Sequence, residues 1–181
     1  MLMRPVALVA ALIGIFWLAG CSQGDPNVVR TYGLGEQAQV GSLIYTVFET
    51  QWLMQLGKGP SARVPQNRFF LVRISAANSG GSQALVPALS IEDDNGNTYP
   101  ELSNGEGVPQ WAEYLREVKP AEAAQGNVLF DAPPRHYKMR VKDETGERSA
   151  LVDIPLSFGA ETPDLPAPGA DAHPLGRKGH P

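Results

Sequence analysis

The chain has 181 residues, a formal net charge of −4 and a single cysteine. The mildly acidic balance and the lack of a basic stripe exclude a nucleic-acid binder, and one cysteine excludes a disulfide framework within the chain. Sixteen prolines and nineteen glycines, with no internal repeat, point to a turn-rich β protein of one domain with flexible ends.

The first segment reads as a targeting sequence. Arg4 precedes the apolar run "PVALVAALIGIFWLAG", which is shorter than the roughly 20 residues a relaxed membrane span requires. Charge, short apolar run and small residues in that order make a secretory signal peptide over 1–20. Leu18, Ala19 and Gly20 stand directly before Cys21, and this "LAGC" resembles the lipobox of bacterial lipoproteins. The resemblance implies cleavage before Cys21, a diacylglycerol thioether on its sulfur and acylation of the new N-terminus. Each buried methylene contributes about 0.8 kcal/mol, and two or more acyl chains hold stably. The expected location is therefore extracytoplasmic, lipid-anchored to the cell membrane through Cys21. Ser22 follows the cysteine where an aspartate would resemble the inner-membrane retention signal of Gram-negative lipoproteins. In such a cell the expected site is the outer membrane, facing the periplasm.

Residues 21–38 are polar and glycine-dotted, and read as a tether. A folded domain is expected over 39–158. It opens with "GSLIYTVFET", apolar on both faces, so its inward side is undetermined by pattern. "RFFLVRISAAN" alternates, with Phe70, Val72, Ile74 and Ala76 on one face and Arg73 and Ser75 on the other. "LVPALSIED" offers Leu85, Leu89 and Ile91, with Pro87 marking an edge. "DDNGNT" is a hairpin turn in which Asn95 and Gly96 can take positive φ. In "VPQWAEYLREVKP", Val108, Trp111, Leu115 and Val118 recur at helical spacing, with Pro109 in the first turn and Pro120 as a stop. That spacing predicts a short helical crossover. "GNVLFDA" offers Val128 and Phe130, and "YKMRVKD" sets Tyr137, Met139 and Val141 against Lys138, Arg140 and Lys142. After the turn "DETGE", "ALVDIPLSF" places Ala150, Val152, Ile154 and Leu156 on one side. Residues 159–181 have almost no large apolar side chains; Leu165 and Leu175 cannot offset the entropy of ordering the rest, which predicts a disordered tail.

About seven short antiparallel strands and one helical crossover make an all-β sandwich. The chain also resembles the telokin-like, immunoglobulin-type domain of unknown function found in bacterial lipoproteins and secreted proteins. The resemblance is carried by "GSLIYTVFET", by "RFFLVRISAANSG" with Asn78 and Gly80, by "IEDDNGNTYP" with Tyr99, and by "KPAEAAQGNVLFDAP" with Gly126, Phe130 and Pro133. Ala121 follows Pro120 where the family often has glycine. The family implies an immunoglobulin-like sandwich and extracytoplasmic placement, and supplies no activity or catalytic residue.

The remaining residues give little chemistry. A calcium loop starting at Asp93 needs glycine at its sixth place and glutamate at its twelfth, where Thr98 and Asn104 stand. Of the three histidines only His136 lies in the domain, with His173 and His180 in the tail, so neither a metal set nor a cofactor is expected. Ser75, Ser90 and Ser103 have His136 alone as a candidate base and no nucleophile elbow. Trp52, Trp111 and Tyr114 are the binding candidates, since aromatic side chains anchor interfaces and stack on sugars. The alternative is that Trp111 pins the crossover and Trp52 caps its strand. Lys138, Arg140 and Lys142, with Arg73, form either a basic strip or an ordinary solvated face neutralised by Asp153 and Glu147. The expectation is a membrane-anchored, non-catalytic module that binds or scaffolds envelope proteins. A receptor for a small ligand or glycan is the alternative, and an envelope hydrolase a remoter one.

Overall fold

The computed structural model describes residues 28–157 except Leu115. The signal peptide, Leu18–Gly20, Cys21 and the tail over 159–181 lie outside the described residues. Among the described residues, eleven strands make up almost all regular structure: β1 (Thr31–Tyr32), β2 (Gln37–Val40), β3 (Leu43–Leu53), β4 (Phe69–Asn78), β5 (Ala84–Val86), β6 (Ser90–Glu92), β7 (Thr98–Pro100), β8 (Arg116–Val118), β9 (Ala123–Asp131), β10 (Tyr137–Lys142) and β11 (Ser149–Ile154). They form a five-stranded sheet in the order β1-β11-β10-β6-β7, a four-stranded sheet β2-β3-β4-β9 and a two-stranded ribbon β5-β8. All pairings are antiparallel except β1 with β11. No helix among the described residues is long and apolar enough to cross a membrane.

The two large sheets close on one core. Tyr45, Val47, Phe70, Val72, Ile74, Val128 and Phe130 come from one side, and Ile91, Tyr137, Met139, Val141, Val152 and Ile154 from the other. These are the faces that the period-two alternation of β4, β9, β10 and β11 selects. In β3 the ambiguity is resolved by a bulge between Val47 and Glu49. The extra residue, Phe48, is exposed, and Trp52 beyond it points inward beside the core. A second cluster lies on the outer face of the four-stranded sheet, where Phe69, Leu71 and Leu129 pack with Leu56. β4 is therefore apolar on both faces at its start because both faces are covered.

Two hairpins are closed by the same device. Asp93 and Asp143 each accept the N–H of the glycine three residues on, Gly96 and Gly146, both at positive φ. Each aspartate also accepts further local N–H groups. Gly96 takes the left-handed conformation at φ +82° and Asn95 does not. At the other end, Asn78 donates to the carbonyls of Ser82 and Val118 and accepts from Gly80 N–H, fixing the exit of β4.

Four expectations are corrected. The tether does not extend to residue 38: β1 pairs with Leu151 and Val152, and Ala38 is fully buried. The described part of 108–118 is not helical. Gln110 and Glu113 adopt left-handed φ, Trp111 bridges Asn127, and Arg116–Val118 pairs with β5. The helical spacing does not reflect one buried face: Val108 packs on the outer cluster and Val118 in the core between the sheets. Leu85 is 46% exposed, because pairing of β5 with β8 turns Ala84 and Val86 inward instead. Leu156 falls beyond β11 and is exposed.

Candidate functional site

The aromatic candidates do not converge. Trp52 is held between the sheets, stacked on Phe70 with ring centroids 4.1 Å apart and tilted against Tyr137 at 6.2 Å. Trp111 sits beside the edge strand β9 with its indole against Gly105, where any Cβ would overlap the ring. Its Nε1–H is buried without an acceptor. Tyr114 is half-buried and joins neither ring system. Both tryptophans thus have packing roles: one closes the core, and the other seats the crossover.

That crossover covers the edge of β9. Asn127 N–H donates to Gln110 O at 2.8 Å, and Ala112 N–H donates to Asn127 O at 3.0 Å. Asn127 Nδ2 adds a bond of 2.7 Å to Pro109 O. The close approach requires Gly126, where a Cβ would stand 2.5 Å from Gln110 O. Covering the edge removes a template for uncontrolled strand pairing.

The far end of the crossover is locked from inside. Arg116, on β8, and Glu101, just after β7, form an ion pair with side chains 1% and 0% exposed. The carboxylate also accepts Leu89 N–H at 3.1 Å, and Arg116 Nε donates to Ala112 O at 3.0 Å. Burial pushes the Glu101 carboxyl above its ordinary range, while the guanidinium opposes that shift. Neither residue carries a signal in the sequence, since an isolated charge in a short strand reads as exposed.

Between crossover and sheet lies a shallow cleft of about 420 Å³. Its floor is the outer face of β3, β4 and β9. Glu49, Arg73 and Asn127 line up across the three strands, and Gln51 pairs beside Leu71 in the next row. Pro109 and Gln110 form the wall. Arg73 reaches Glu49 at 3.4 Å, and among the described residues the amides of Gln51 and Gln110 have no side-chain partner. Sequence reasoning missed this site because its residues come from three strands and a loop.

The opposite sheet face is a set of charge pairs. Arg140 clamps Glu92 through Nε and Nη2 and donates to Ser149; these bonds hold the Glu92 carboxyl below its ordinary range. Lys138 lies across from Glu92 on one side and Asp153 on the other. The strip on β10 is thus balanced by Glu92 and Asp153 rather than Glu147, and Arg73 belongs to the other sheet. Nearby, Arg135 pairs with Asp93 at 2.7 Å. His136 lies between Asp94, 3.1 Å from Nδ1, and Asp153, 2.9 Å from Nε2. Hydrogen bonding to Asp94, then to Asp153, raises its pKa above the usual imidazole value against the opposing effect of burial. No group of three or more His, Cys, Asp or Glu among the described residues is arranged to hold a metal ion.

Residues 32–149, from within β1 to the start of β11, match the family model described as a domain of unknown function, DUF4352. The chain belongs to the DUF4352 family. No curated protein matches it. The DUF4352 chain is similar in fold to the yjhA protein of Bacillus subtilis, with TM-score 0.54 and 13% identity over 68% of this chain and 98% of that one. It is also similar to MPT63, a secreted protein of Mycobacterium tuberculosis, with TM-score 0.53 and 14% identity over 71% and 99% of the two chains. A third likeness, TM-score 0.51 and 9% identity, is to ycdA of Bacillus subtilis, described as a "putative lipoprotein", over 66% of this chain and 38% of that one.

Proposed function

We propose that this DUF4352 protein is a lipid-anchored, extracytoplasmic β-sandwich that binds or scaffolds envelope components without catalysing a reaction. The observation that carries the reading is "LAGC" at 18–21, which makes Cys21 the attachment point. The secreted MPT63 and the ycdA description are consistent with that placement. An immunoglobulin-type sandwich is supported by two features. β10 lies between β6 and β11 in the five-stranded sheet, and Tyr137, at its start, donates its hydroxyl to Pro133 O at 2.5 Å, four residues upstream. This is the arrangement of a tyrosine corner. A non-catalytic role is favoured by His136, the domain's one histidine, whose two ring nitrogens both face aspartates and so leave none to activate a serine.

Two measurements test the proposal. Mass spectrometry of the native protein should find a lipid-modified Cys21 at the N-terminus, and Cys21→Ser should release a folded protein from the envelope. An unmodified thiol would overturn the anchor. Cross-linking in intact cells should recover a reproducible envelope partner, and its absence would count against scaffolding.

A further inference from the structure

We infer that the open edge of β3 over 49–53 is an interface through which two copies of this chain pair, strand against strand. β2 covers β3 only over 43–46, and Gly35 N–H adds one bond of 2.8 Å to Val47 O. The bulge then carries β3 past the end of that pairing. Over 49–53, β4 supplies the only backbone partner among the described residues. The direction of the free groups follows from β9. Asn127 spends its N–H and C=O on the crossover, so Arg73, opposite it on β4, turns its own towards Glu49. Alternation along an antiparallel strand then turns Gln51 and Leu53 to β4 and leaves the N–H and C=O of Thr50 and Trp52 facing outward. Sheet edges are usually blunted by lysine, proline or a covering segment. The crossover covers β9, and the three-residue strand β7 carries Pro100. The stretch "ETQWL" at 49–53 has neither lysine nor proline.

The occupant is a second copy because this edge is complementary to itself. Antiparallel pairing about a two-fold axis at Gln51 engages all five residues. It sets Thr50 of each copy opposite Trp52 of the other, so the four outward groups on each edge meet their counterparts. On the outer face the two Gln51 amides, each donor and acceptor, come together at the axis. Charge is compatible with the same register. Glu49 falls opposite Leu53 of the other copy, and the two Glu49 side chains stand about 14 Å apart along the strands. That exceeds the screening length of about 8 Å at physiological salt, and Arg73 already pairs with Glu49. Exposed apolar side chains flank the edge. Phe48 lies at one end, with Leu34 brought alongside by the Gly35–Val47 bond, and Met54 lies at the other. The register about Gln51 brings Met54 of each copy to Phe48 of its mate, covering both exposed ends. A five-residue edge is about 17 Å long. With the two apolar contacts it stays below the roughly 1,200 Å² of a durable interface, so the pairing is weak, reversible and best trapped covalently.

The test uses the full chain in mild detergent with Cys21 retained. Disulfides are mapped by peptide mass spectrometry, which separates them from any that Cys21 forms. Non-hydrogen-bonded partners of an antiparallel pair have Cα atoms about 4.5 Å apart, within the span of a disulfide. Gln51→Cys should therefore give a 51–51 disulfide roughly tenfold faster than the exposed control Glu147→Cys. Glu49→Cys and Leu53→Cys should link poorly alone and readily when mixed. Thr50→Pro removes an outward N–H without touching the ladder to β4. Combined with Gln51→Cys, it should abolish the 51–51 product while near-ultraviolet circular dichroism is retained. In intact cells, Gln51→p-benzoylphenylalanine should capture a second copy on irradiation. Cross-linking at 51 no faster than at 147, self-linking at 49 or 53 equal to the mixed product, or an unchanged 51–51 yield with Thr50→Pro would overturn the inference. A photoproduct within one chain or with a different protein would overturn the second copy as occupant. The different protein would at the same time support the scaffolding reading, which stands independently of this interface.

Discussion

Replacing Arg116 with leucine tests the role of the buried lock. The side chains of Arg116 and Glu101 are almost wholly out of water, and the pair ties Glu101 to the crossover through Ala112 O. Arg116→Leu leaves the Glu101 carboxyl buried with Leu89 N–H as its remaining donor. Breaking one half of a buried pair costs about 3–5 kcal/mol. For a domain of this size that lowers Tm by roughly 10–20 °C. The sign with pH follows from protonation. The Glu101 carboxyl already lies above its ordinary range through burial, and removing the guanidinium raises it further. Protonation relieves the buried charge, so the loss should be smaller at pH 5 than at pH 8. The companion variant Glu101→Leu/Arg116→Leu removes both charges and should recover most of the stability, since replacing a buried pair by apolar residues is often neutral. Urea unfolding of the wild type, the single variants Arg116→Leu and Glu101→Leu, and the double variant at both pH values closes the cycle. If the double variant is no more stable than the single one, the orphaned carboxyl is not the source of the cost, and the reasoning fails.

Three further outcomes are expected. His136 faces aspartates through both nitrogens and its pKa is raised, so its contribution is full below about pH 6.5 and is lost as pH rises through the folded-state value. An NMR titration should show that elevated value, and His136→Asn should flatten the pH dependence of Tm in this window. Ala121 holds φ +61° in the turn closed by Glu122 N–H on Lys119 O. A left-handed alanine costs about 1–2 kcal/mol and glycine carries an entropic penalty of about 0.5–1 kcal/mol, so Ala121→Gly should raise stability by roughly 0.5 kcal/mol in urea unfolding; a loss would contradict the strain. Gly126→Ala places a Cβ 2.5 Å from Gln110 O and 2.8 Å from Ala112 N. It should cost about 1–3 kcal/mol and speed hydrogen exchange at the Asn127 and Ala112 amides, and unchanged exchange would show that the crossover is not seated there.

What was legible in the sequence is what local sterics impose. Successive side chains of a strand point to opposite faces, so alternation in β4 and β10 identified Phe70, Val72, Ile74, Tyr137, Met139 and Val141 as core before any partner was known. Aspartate–glycine turns were readable for the same reason, since Gly96 and Gly146 answer a backbone requirement within a few residues. Tertiary structure decided whatever depended on a distant neighbour. The bulge at Phe48 chose the inward face of β3, where the pattern was apolar on both sides. The helical spacing over 108–118 failed because pairing with β9 and β5 satisfied its backbone in other ways. The Arg116–Glu101 pair and the cleft were invisible because their members are adjacent only once the sheets close. A side-chain period is written into consecutive residues, whereas a buried charge pair or a cleft is a property of separations along the chain that folding brings to zero.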